Sequence, residues 1–173
     1  MKIIAAGDIH GSFVYADYLI ERIAEHQPKK VVLLGDIYEY FYSRELDNIL
    51  LSSGVITVSV EGNCDYFATK LSRLEFVGDN LIERTSGRQF LFTHGHIYNG
   101  DYIPKFLKDG DVLIYGHMHN TNIVKENGIY LVNAGSVGMP RNNSKHSFVL
   151  IDGDKIEIRE VENGNLIDRL QLD

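Results

Sequence analysis

The 173 residues of this chain, 44% of them hydrophobic, can form one sizeable buried core, and we expect a single domain over residues 1–173. No apolar run of about 18 residues is present, so the sequence predicts no membrane-spanning helix. The formal net charge is −7 and the 17 basic residues are scattered, which argues against a long nucleic acid as partner. The single cysteine, Cys64, excludes an internal disulfide and favours a cytoplasmic location.

The first part of the chain alternates strand-like and helix-like patterns. Residues 2–6 and 30–34 are apolar runs that each end at a Gly-Asp pair, and apolar residues recur at helical spacing over 15–26. The order strand, helix, strand predicts a parallel βαβ unit. We also expect a helix over 45–51, a strand over 55–60 and a short helix over 64–74.

The second part changes to short strands separated by turn-forming pairs. We predict strands over 81–84, 89–93, 112–115, 123–126, 129–132, 148–151 and 155–161. The links contain Ser86-Gly87, Asn127-Gly128, Asp152-Gly153 and Asn163-Gly164, of which Asn-Gly and Asp-Gly are strong hairpin signals. The last third therefore predicts an antiparallel meander. The whole chain predicts an α/β fold in which two sheets pack face to face with helices outside.

Polar clusters follow five of the predicted strands, at the ends where ligands bind in parallel-type sheets. They cover residues 7–11, 34–36, 61–65, 93–96 and 116–119. Asp8 and His10 stand two residues apart, so both side chains can reach one ion from an extended segment, and the same spacing recurs at 117 and 119. Imidazole and carboxylate together favour Mn, Fe, Zn or Co over calcium. We therefore predict a metal site built from Asp8, His10, Asp36, Asn63, His94, His117 and His119.

The clusters resemble the calcineurin-like metallophosphoesterase family, whose pattern is Asp-x-His, Gly-Asp, Gly-Asn-x-Asp, a His after a strand, and Gly-His-x-His. The match runs from Gly7 to Gly138. The small size and the segment 133–138 are similar to the small phosphodiesterase branch, which also includes the retromer scaffold subunit. The resemblance implies a four-layer αββα sandwich of two mixed β-sheets flanked by helices.

The resemblance also implies a dinuclear centre that hydrolyses phosphate esters by attack of a metal-bridging hydroxide. One ion would be held by Asp8, His10 and His119. The other would be held by Asn63, His94 and His117, with Asp36 bridging the two. The implied catalytic residues are Asp36, Asn63, Asp65, His94 and His119. We expect two divalent cations, Mn²⁺ first, with Fe²⁺, Zn²⁺, Co²⁺ or Ni²⁺ as alternatives, and a small phosphoester substrate.

The chain departs from the family pattern at Cys64, where many relatives carry a His that protonates the leaving group. A thiol with an ordinary pKa near 8.5 is a poor substitute for imidazole. We therefore expect esters with acidic leaving groups, or protonation through water or a histidine of the site. Relatives also carry Gly-Pro-Arg after the Gly-Asp pair, where this chain has a tyrosine-rich run ending at Arg44.

Several neighbouring residues have two interpretations. His96 is either a support for the ligands or a packing residue, and Asp65 orients a ligand or caps the expected helix. Arg141 meets either a substrate anion or solvent, whereas His26 and His146 are expected at a helix end and in a solvated loop. The aromatic run Tyr38, Tyr40, Phe41 and Tyr42 predicts a subunit interface, which would make a homodimer or higher homo-oligomer, or else a wall for an aryl or nucleoside group.

Three functions are compatible with these residues. The first is a phosphodiesterase. The second is a phosphomonoesterase or protein phosphatase, which Cys64 and the short loops disfavour. The third is an interaction scaffold on the same fold, like the retromer subunit. Because all seven ligand positions carry competent residues, the sequence favours a metal-dependent phosphodiesterase.

Overall fold

Two β-sheets packed face to face make up most of the computed structural model, which describes residues 1–85 and 87–173. The helices are α1 (Phe13–His26) and α2 (Arg44–Leu51). The strands, in chain order, are β1 (Lys2–Ala6), β2 (Lys30–Leu33), β3 (Ile56–Ser59), β4 (Glu75–Phe76), β5 (Asn80–Thr85), β6 (Arg88–Thr93), β7 (Val112–Tyr115), β8 (Thr121–Glu126), β9 (Ile129–Ala134), β10 (Ser147–Asp152), β11 (Lys155–Glu160) and β12 (Leu166–Gln171).

The first sheet has the strand order β12-β11-β10-β1-β2-β3-β4. Strands β1 to β4 run parallel, with Ile3 opposite Lys30 and Lys30 opposite Ile56, which confirms the predicted βαβ unit. Strands β10, β11 and β12 extend the sheet as an antiparallel meander. Because β1, β2 and β3 are parallel, the residues that follow them meet at one edge of the sheet.

The second sheet has the order β5-β6-β7-β9-β8, and its three central strands run parallel. The predicted antiparallel meander of the last third is confirmed only for β10, β11 and β12, because β8 and β9 belong to this second sheet, where β9 pairs parallel to β7. The hairpin turns predicted at Asn127-Gly128, Asp152-Gly153 and Asn163-Gly164 each lie between antiparallel strands. The predicted Ser86-Gly87 turn includes Ser86, which lies outside the described residues.

Three apolar clusters define the layers. The cluster between the sheets includes Val32, Phe92 and Ile114, all fully buried. A second cluster packs α1 and α2 against the first sheet through residues such as Leu19 and Leu46. The third lies on the outer face of the second sheet, where Leu107 and Ile103 from segment 95–111 pack over the strands. The predicted sandwich of two mixed sheets with helices outside is confirmed; segment 95–111 covers the second sheet with turns.

Both helices begin at a serine cap. The Ser12 side chain accepts a hydrogen bond from the backbone N–H of Tyr15 at the start of α1, and Ser43 does the same for α2. Helix α1 ends where Gln27 adopts a left-handed conformation (φ 47°) immediately before Pro28. No helix in the described ranges is long and apolar enough to cross a membrane.

The predicted helix over 64–74 is wrong, since this segment consists of turns. Its polar residue Asp65 is fully buried and bonds to neighbouring loops, so it does not cap a helix. Strands β4 and β12 were not predicted. The first has only two residues, and the second has a largely exposed pattern without clear alternation.

Candidate metal centre

The structure brings the seven predicted ligands together at one edge of the sandwich. Asp8 and His10 follow β1, Asp36 follows β2, and Asn63 follows β3 of the first sheet. The remaining three come from the second sheet, where His94 follows β6 and the pair His117 and His119 follows β7. The group therefore spans the junction between the two sheets.

Five of these seven residues have a left-handed backbone that non-glycine residues rarely adopt. They are Asp8 (φ 53°), His10 (φ 48°), Asp36 (φ 49°), His117 (φ 65°) and His119 (φ 59°). Backbone bonds hold this conformation, because the N–H of Asp8 donates to the Gly35 carbonyl at 2.9 Å and that of His10 to the Asp36 carbonyl at 3.0 Å. Conformations of this kind concentrate at functional sites, where the surrounding structure maintains them.

Asp8, His10 and His119 form the first group of facing side chains. Nε2 of His119 lies 3.1 Å from Oδ1 of Asp8, and Nε2 of His10 lies 3.3 Å from Nε2 of His119. The other oxygen of Asp8 is occupied, since Oδ2 accepts a 2.9 Å hydrogen bond from the backbone N–H of His117. The three ligand atoms lie within 4.8 Å of one another, as a cation site requires.

Asp36, His94 and His117 form the second group, with Asn63 beside it. Nε2 of His94 lies 3.3 Å from Oδ2 of Asp36, 3.0 Å from Oδ1 of Asn63 and 3.1 Å from Nδ1 of His117. Oδ2 of Asp36 also lies 3.7 Å from Nε2 of His10 in the first group. One carboxylate oxygen thus faces both groups.

Two hydrogen bonds to backbone carbonyls determine the tautomers of His94 and His119. Nδ1 of His94 lies 2.8 Å from the Leu34 carbonyl, and Nδ1 of His119 lies 2.6 Å from the Met139 carbonyl. A carbonyl only accepts, so each Nδ1 carries a proton, and in the neutral form of each ring the Nε2 lone pair points toward a carboxylate. This arrangement matches the way protein carbonyls orient metal-binding histidines.

Acceptors that face one another in a buried site need a cation between them. Oδ1 of Asp8 is buried and has no hydrogen-bond donor with acceptable geometry among the described residues, although His119 is close. An unpaired buried carboxylate oxygen is costly, and a divalent cation between it and the Nε2 lone pairs would remove that cost. The donor set therefore fits metal ions of the imidazole-and-carboxylate type.

The charges of the site are coupled. Burial raises the pKa of Asp36, but the hydrogen bond and positive charge of His94 outweigh burial and hold this pKa well below its usual range. Burial lowers the pKa of His94, yet Asp36 and Asp8 shift it upward overall. The carboxylate of Asp8 beside it raises the pKa of His119, whereas burial and His94 lower that of His117. Burial raises the pKa of Asp8, but the neighbouring histidines lower it overall, so both carboxylates are ionised at neutral pH.

Two glycines allow the close approaches that the centre requires. A Cβ on Gly62 would lie 2.2 Å from the backbone nitrogen and Oδ1 of Asp36. A Cβ on Gly116 would lie 2.4 Å from Oδ2 of Asp8. Only glycine leaves room for the two carboxylates at these positions.

Cys64 and Asp65 take different roles beside Asn63. The backbone N–H of Cys64 donates to Oδ1 of Asp36 at 2.8 Å, and its thiol lies within 4.8 Å of ligand atoms of His10 and Asp36. Burial and the charge of Asp36 raise the pKa of this thiol to about 12.

Asp65 accepts hydrogen bonds from the backbone N–H groups of Gly62, Ile37 and Tyr38, at 3.0, 2.9 and 3.2 Å. Asp65 therefore joins the loops that carry Asp36 and Asn63.

The remaining histidines lie outside the two groups. His96 is exposed, with its ring 5.3 Å from that of His94, and His26 is the last residue of α1. The expectation that His146 is solvated is wrong. Its ring stacks on Tyr15 at 3.5 Å and its Nδ1 lies 2.7 Å from the Val137 carbonyl, because the loop folds back onto α1.

Two supporting contacts were missed by sequence reasoning. The Ser136 hydroxyl donates to the Asp8 carbonyl at 2.8 Å, within the segment 133–138 that was noted only as a branch signature. Buried Asp47 accepts hydrogen bonds from the Tyr38 and Ser72 hydroxyls and from the backbone N–H of Arg73. No local pattern in α2 distinguishes Asp47 from a solvated residue. Arg44 and Arg141 both have exposed side chains.

Comparison of the sequence and the fold with known proteins shows which proteins this chain resembles. Phosphodiesterase YfcE of Escherichia coli is 26% identical, over 99% of this chain and 98% of that protein. A phosphodiesterase of Methanocaldococcus jannaschii is 25% identical, over 93% of this chain and 98% of its own length. The structure of E. coli YfcE has a TM-score of 0.91 at 24% identity, and Vps29 of Entamoeba histolytica complexed with Zn²⁺ has 0.66 at 18%, each alignment covering both chains completely.

These structural likenesses show the fold. The sequence model described as the calcineurin-like phosphoesterase superfamily domain matches residues 1–155, which include all seven clustered side chains. The protein therefore belongs to the calcineurin-like phosphoesterase superfamily.

Proposed function

We propose that this protein is a phosphodiesterase that uses two divalent cations bound by the seven clustered side chains. Family membership makes the chain a metallophosphoesterase, and both relatives described above are named phosphodiesterases. The observation that carries the proposal is the convergence of carboxylate oxygens and imidazole lone pairs on two adjacent points, with Asp36 facing both.

The first cation would be held by Asp8, His10 and His119. The second would be held by Asn63, His94 and His117, and Asp36 would bridge the two. Mn²⁺ is our first choice for both positions, with Fe²⁺, Zn²⁺, Co²⁺ and Ni²⁺ as alternatives that the same donors accept. When bound, such a pair of cations lowers the pKa of water toward about 7 and stabilises the charge on the attacking and leaving oxygens.

The protein's own residues would orient and polarise this centre. The carbonyls of Leu34 and Met139 hold the rings of His94 and His119, and the Cys64 N–H holds the carboxylate of Asp36. Asn63 is exposed, and its Oδ1 faces His94 while its amide nitrogen lies 3.5 Å from the Cys64 sulfur. In this proposal, the amide N–H of this exposed residue would leave the sulfur and donate to a phosphate oxygen of the substrate.

Asp65 acts in this proposal as a positioning residue. Its fully buried carboxylate binds three backbone N–H groups on the two loops that carry Asp36 and Asn63. It would set the distance between the bridging carboxylate and the amide, and it would not contact the substrate.

Cys64 favours diesters over monoesters. Many family members have a proton-donating His at this position, and a thiol whose pKa is raised to about 12 is a weak acid for this purpose. A diester with an acidic leaving group requires less protonation than an alkyl monoester. We therefore assign a small phosphodiester as the substrate class; a cytoplasmic location and the oligomeric state stay predictions.

Hydrolysis of bis-p-nitrophenyl phosphate tests the proposal. Metal-free protein should be inactive, Mn²⁺ should restore turnover and a chelator should abolish it. Asp36→Asn should lower kcat/KM by at least about a hundredfold and reduce bound metal below two ions per chain, because it removes the shared charge. Asp17→Asn, on the exposed face of α1, is the matched control and should change neither quantity.

Absence of turnover with Mn²⁺, Fe²⁺, Co²⁺, Ni²⁺ or Zn²⁺ in a protein that binds these ions would overturn the enzymatic proposal. That result would support the scaffold function instead.

A further inference from the structure

Four aromatic side chains stand exposed on the two segments that follow Asp36 and Asn63. Tyr40 and Phe41 are 78% and 86% exposed, and Tyr66 and Phe67 are 63% and 77% exposed. We call these four residues the aromatic rim. Exposed aromatic clusters of this kind usually mark a binding site, because leaving them in water costs free energy.

The two segments that carry the rim are fastened to each other. Asp65 accepts hydrogen bonds from the backbone N–H groups of Ile37 and Tyr38, across the two segments. The Tyr38 hydroxyl also lies 2.8 Å from Oγ of Ser72, and both hydroxyls bind buried Asp47. The rim residues therefore lie on two loops that are connected by hydrogen bonds and that also carry the proposed ligands.

The rim lies within reach of a phosphate at the centre. Tyr66 follows Asn63 by three residues, so the chain between their Cα atoms spans at most roughly 11 Å. Tyr40 follows Asp36 by four residues, which allows at most roughly 14 Å. An ester group attached to a phosphorus atom beside Asp36 and Asn63 must extend by several ångströms, and both pairs of rim residues begin within these distances of the two side chains.

Charges around the rim match a phosphodiester. Nζ of Lys70 lies 5.3 Å from the ring centre of Tyr66, and Arg44 is exposed at the start of α2. Lys70 lies beside the rim and Arg44 follows Phe41 by three residues, in a chain whose net charge is −7, and both cations would attract an anionic ester. Exposed Glu39 precedes Tyr40. A stable subunit interface requires a large apolar patch. This small aromatic surface bordered by charged residues is better suited to binding one or two aromatic rings.

We infer that the aromatic rim binds an aryl or nucleobase group carried by the ester of the substrate, next to the metal centre. This inference rests on the proposed phosphodiesterase function and narrows its substrate class. Stacking on exposed rings accepts any flat aromatic group and gives little discrimination between bases. Diesters with only small alkyl groups would use the same centre without the rim.

Calorimetric binding of two stable phosphonates to the Mn²⁺-loaded protein tests the inference independently of turnover. Phenylphosphonate should bind about tenfold more tightly than methylphosphonate, as one stacked ring contributes roughly that factor. In the double variants Tyr40→Ser/Phe41→Ser and Tyr66→Ser/Phe67→Ser, this ratio should fall toward one, while methylphosphonate affinity should stay within about twofold. The exposed apolar residue at the opposite end of β3 provides the control Ile56→Ser, which should keep the ratio.

The possible outcomes separate the rim from the proposed function. Equal affinities for the two phosphonates in the unmodified protein, or a preference that survives both double variants, would overturn the inference and leave the phosphodiesterase proposal intact. A lower molar mass in light scattering for the rim variants, with an unchanged preference for phenylphosphonate, would overturn it in favour of self-association. Failure to bind either phosphonate would count against the phosphate site, and the rim inference would fall with it.

Discussion

The backbone N–H of Cys64 donates a 2.8 Å hydrogen bond to Oδ1 of Asp36, which leaves Oδ2 of Asp36 facing the histidines. This 2.8 Å bond to the carboxylate thus comes from the main chain of Cys64 and does not depend on the side chain at this position. The side chain at position 64 is exposed, so it can be replaced while the orientation of Asp36 is retained.

Cys64→His should increase the activity of the enzyme toward esters with poorer leaving groups. An imidazole at this position can protonate the departing oxygen, which typically contributes 100-fold or more, so rates for aryl esters with leaving groups of high pKa should rise by at least about tenfold. Rates for p-nitrophenyl esters should change little. The slope of log kcat/KM against leaving-group pKa measures this effect, with Cys64→Ser as the control, whose hydroxyl is too weakly acidic to act as a general acid. The same slope in Cys64→His and the parent protein would contradict the prediction.

Gly62→Ala should damage the centre through sterics alone. The new Cβ would lie 2.2 Å from Asp36, so that residue or its loop must shift, and we expect a loss of about 1–3 kcal/mol in stability together with weaker metal binding. Gly54→Ala is the control for metal binding, because no atom lies within 4 Å of the added Cβ; φ is +67° there, so this variant has a backbone cost in stability of its own. Denaturant unfolding and metal titration of both variants give the comparison. Metal affinity in Gly62→Ala equal to that of Gly54→Ala would show that the close approach is unimportant.

Asp65→Asn should loosen the connection between the two loops that carry Asp36 and Asn63. The carboxylate accepts three N–H groups, and an amide offers one oxygen and an N–H₂ group that faces a donor, so we expect a cost of about 1–3 kcal/mol. If Asp65 positions Asp36 and Asn63, kcat should fall more than the affinity for the substrate. A purely structural role predicts lower stability with unchanged kinetics in the folded fraction, which would refute positioning.

Metal binding should weaken on acidification, beginning above the ordinary imidazole pKa near 6.5. The carboxylates raise the pKa values of His94 and His119 in the metal-free protein, so protons compete with the cation for their Nε2 lone pairs as the pH falls. Asp36 has a lowered pKa and stays ionised in this range, so it adds no such dependence. Below the histidine pKa, apparent affinity should fall by about tenfold per pH unit for each ion. Titration with Mn²⁺ from pH 8.5 to 5.5 measures this, and constant affinity down to pH 6 would contradict it.

Much of the site was visible in the sequence because its residues stand at strand ends. Asp8, Asp36 and Asn63 each follow an apolar run, and parallel pairing of β1, β2 and β3 brings such residues to one edge. The packing of two sheets with helices outside was accessible for a similar reason, since the spacing of apolar runs and turn pairs separates strands from helices.

Other features depend on partners that are remote in the chain. The parallel neighbours of β7 follow from a crossover through 94–111, which no local pattern encodes. Asp47 acquires its importance only when Tyr38 and Ser72 fold against it. The turns over 64–74 replace a helix because Asp65 bonds to the loop after β2. In each case a long-range hydrogen bond or strand pairing overrides a local preference.

The distribution of the proposed ligands over both sheets also has a mechanical meaning. Asp8, His10, Asp36 and Asn63 belong to the first sheet, whereas His94, His117 and His119 belong to the second. A cation bound by residues from both sheets would link the sheets at one end of the sandwich. Separation of the sheets there would require release of the cation. Thermal stability should therefore depend on metal concentration. A free metal concentration of 100 times Kd should add about 2.7 kcal/mol per ion to the free energy of unfolding.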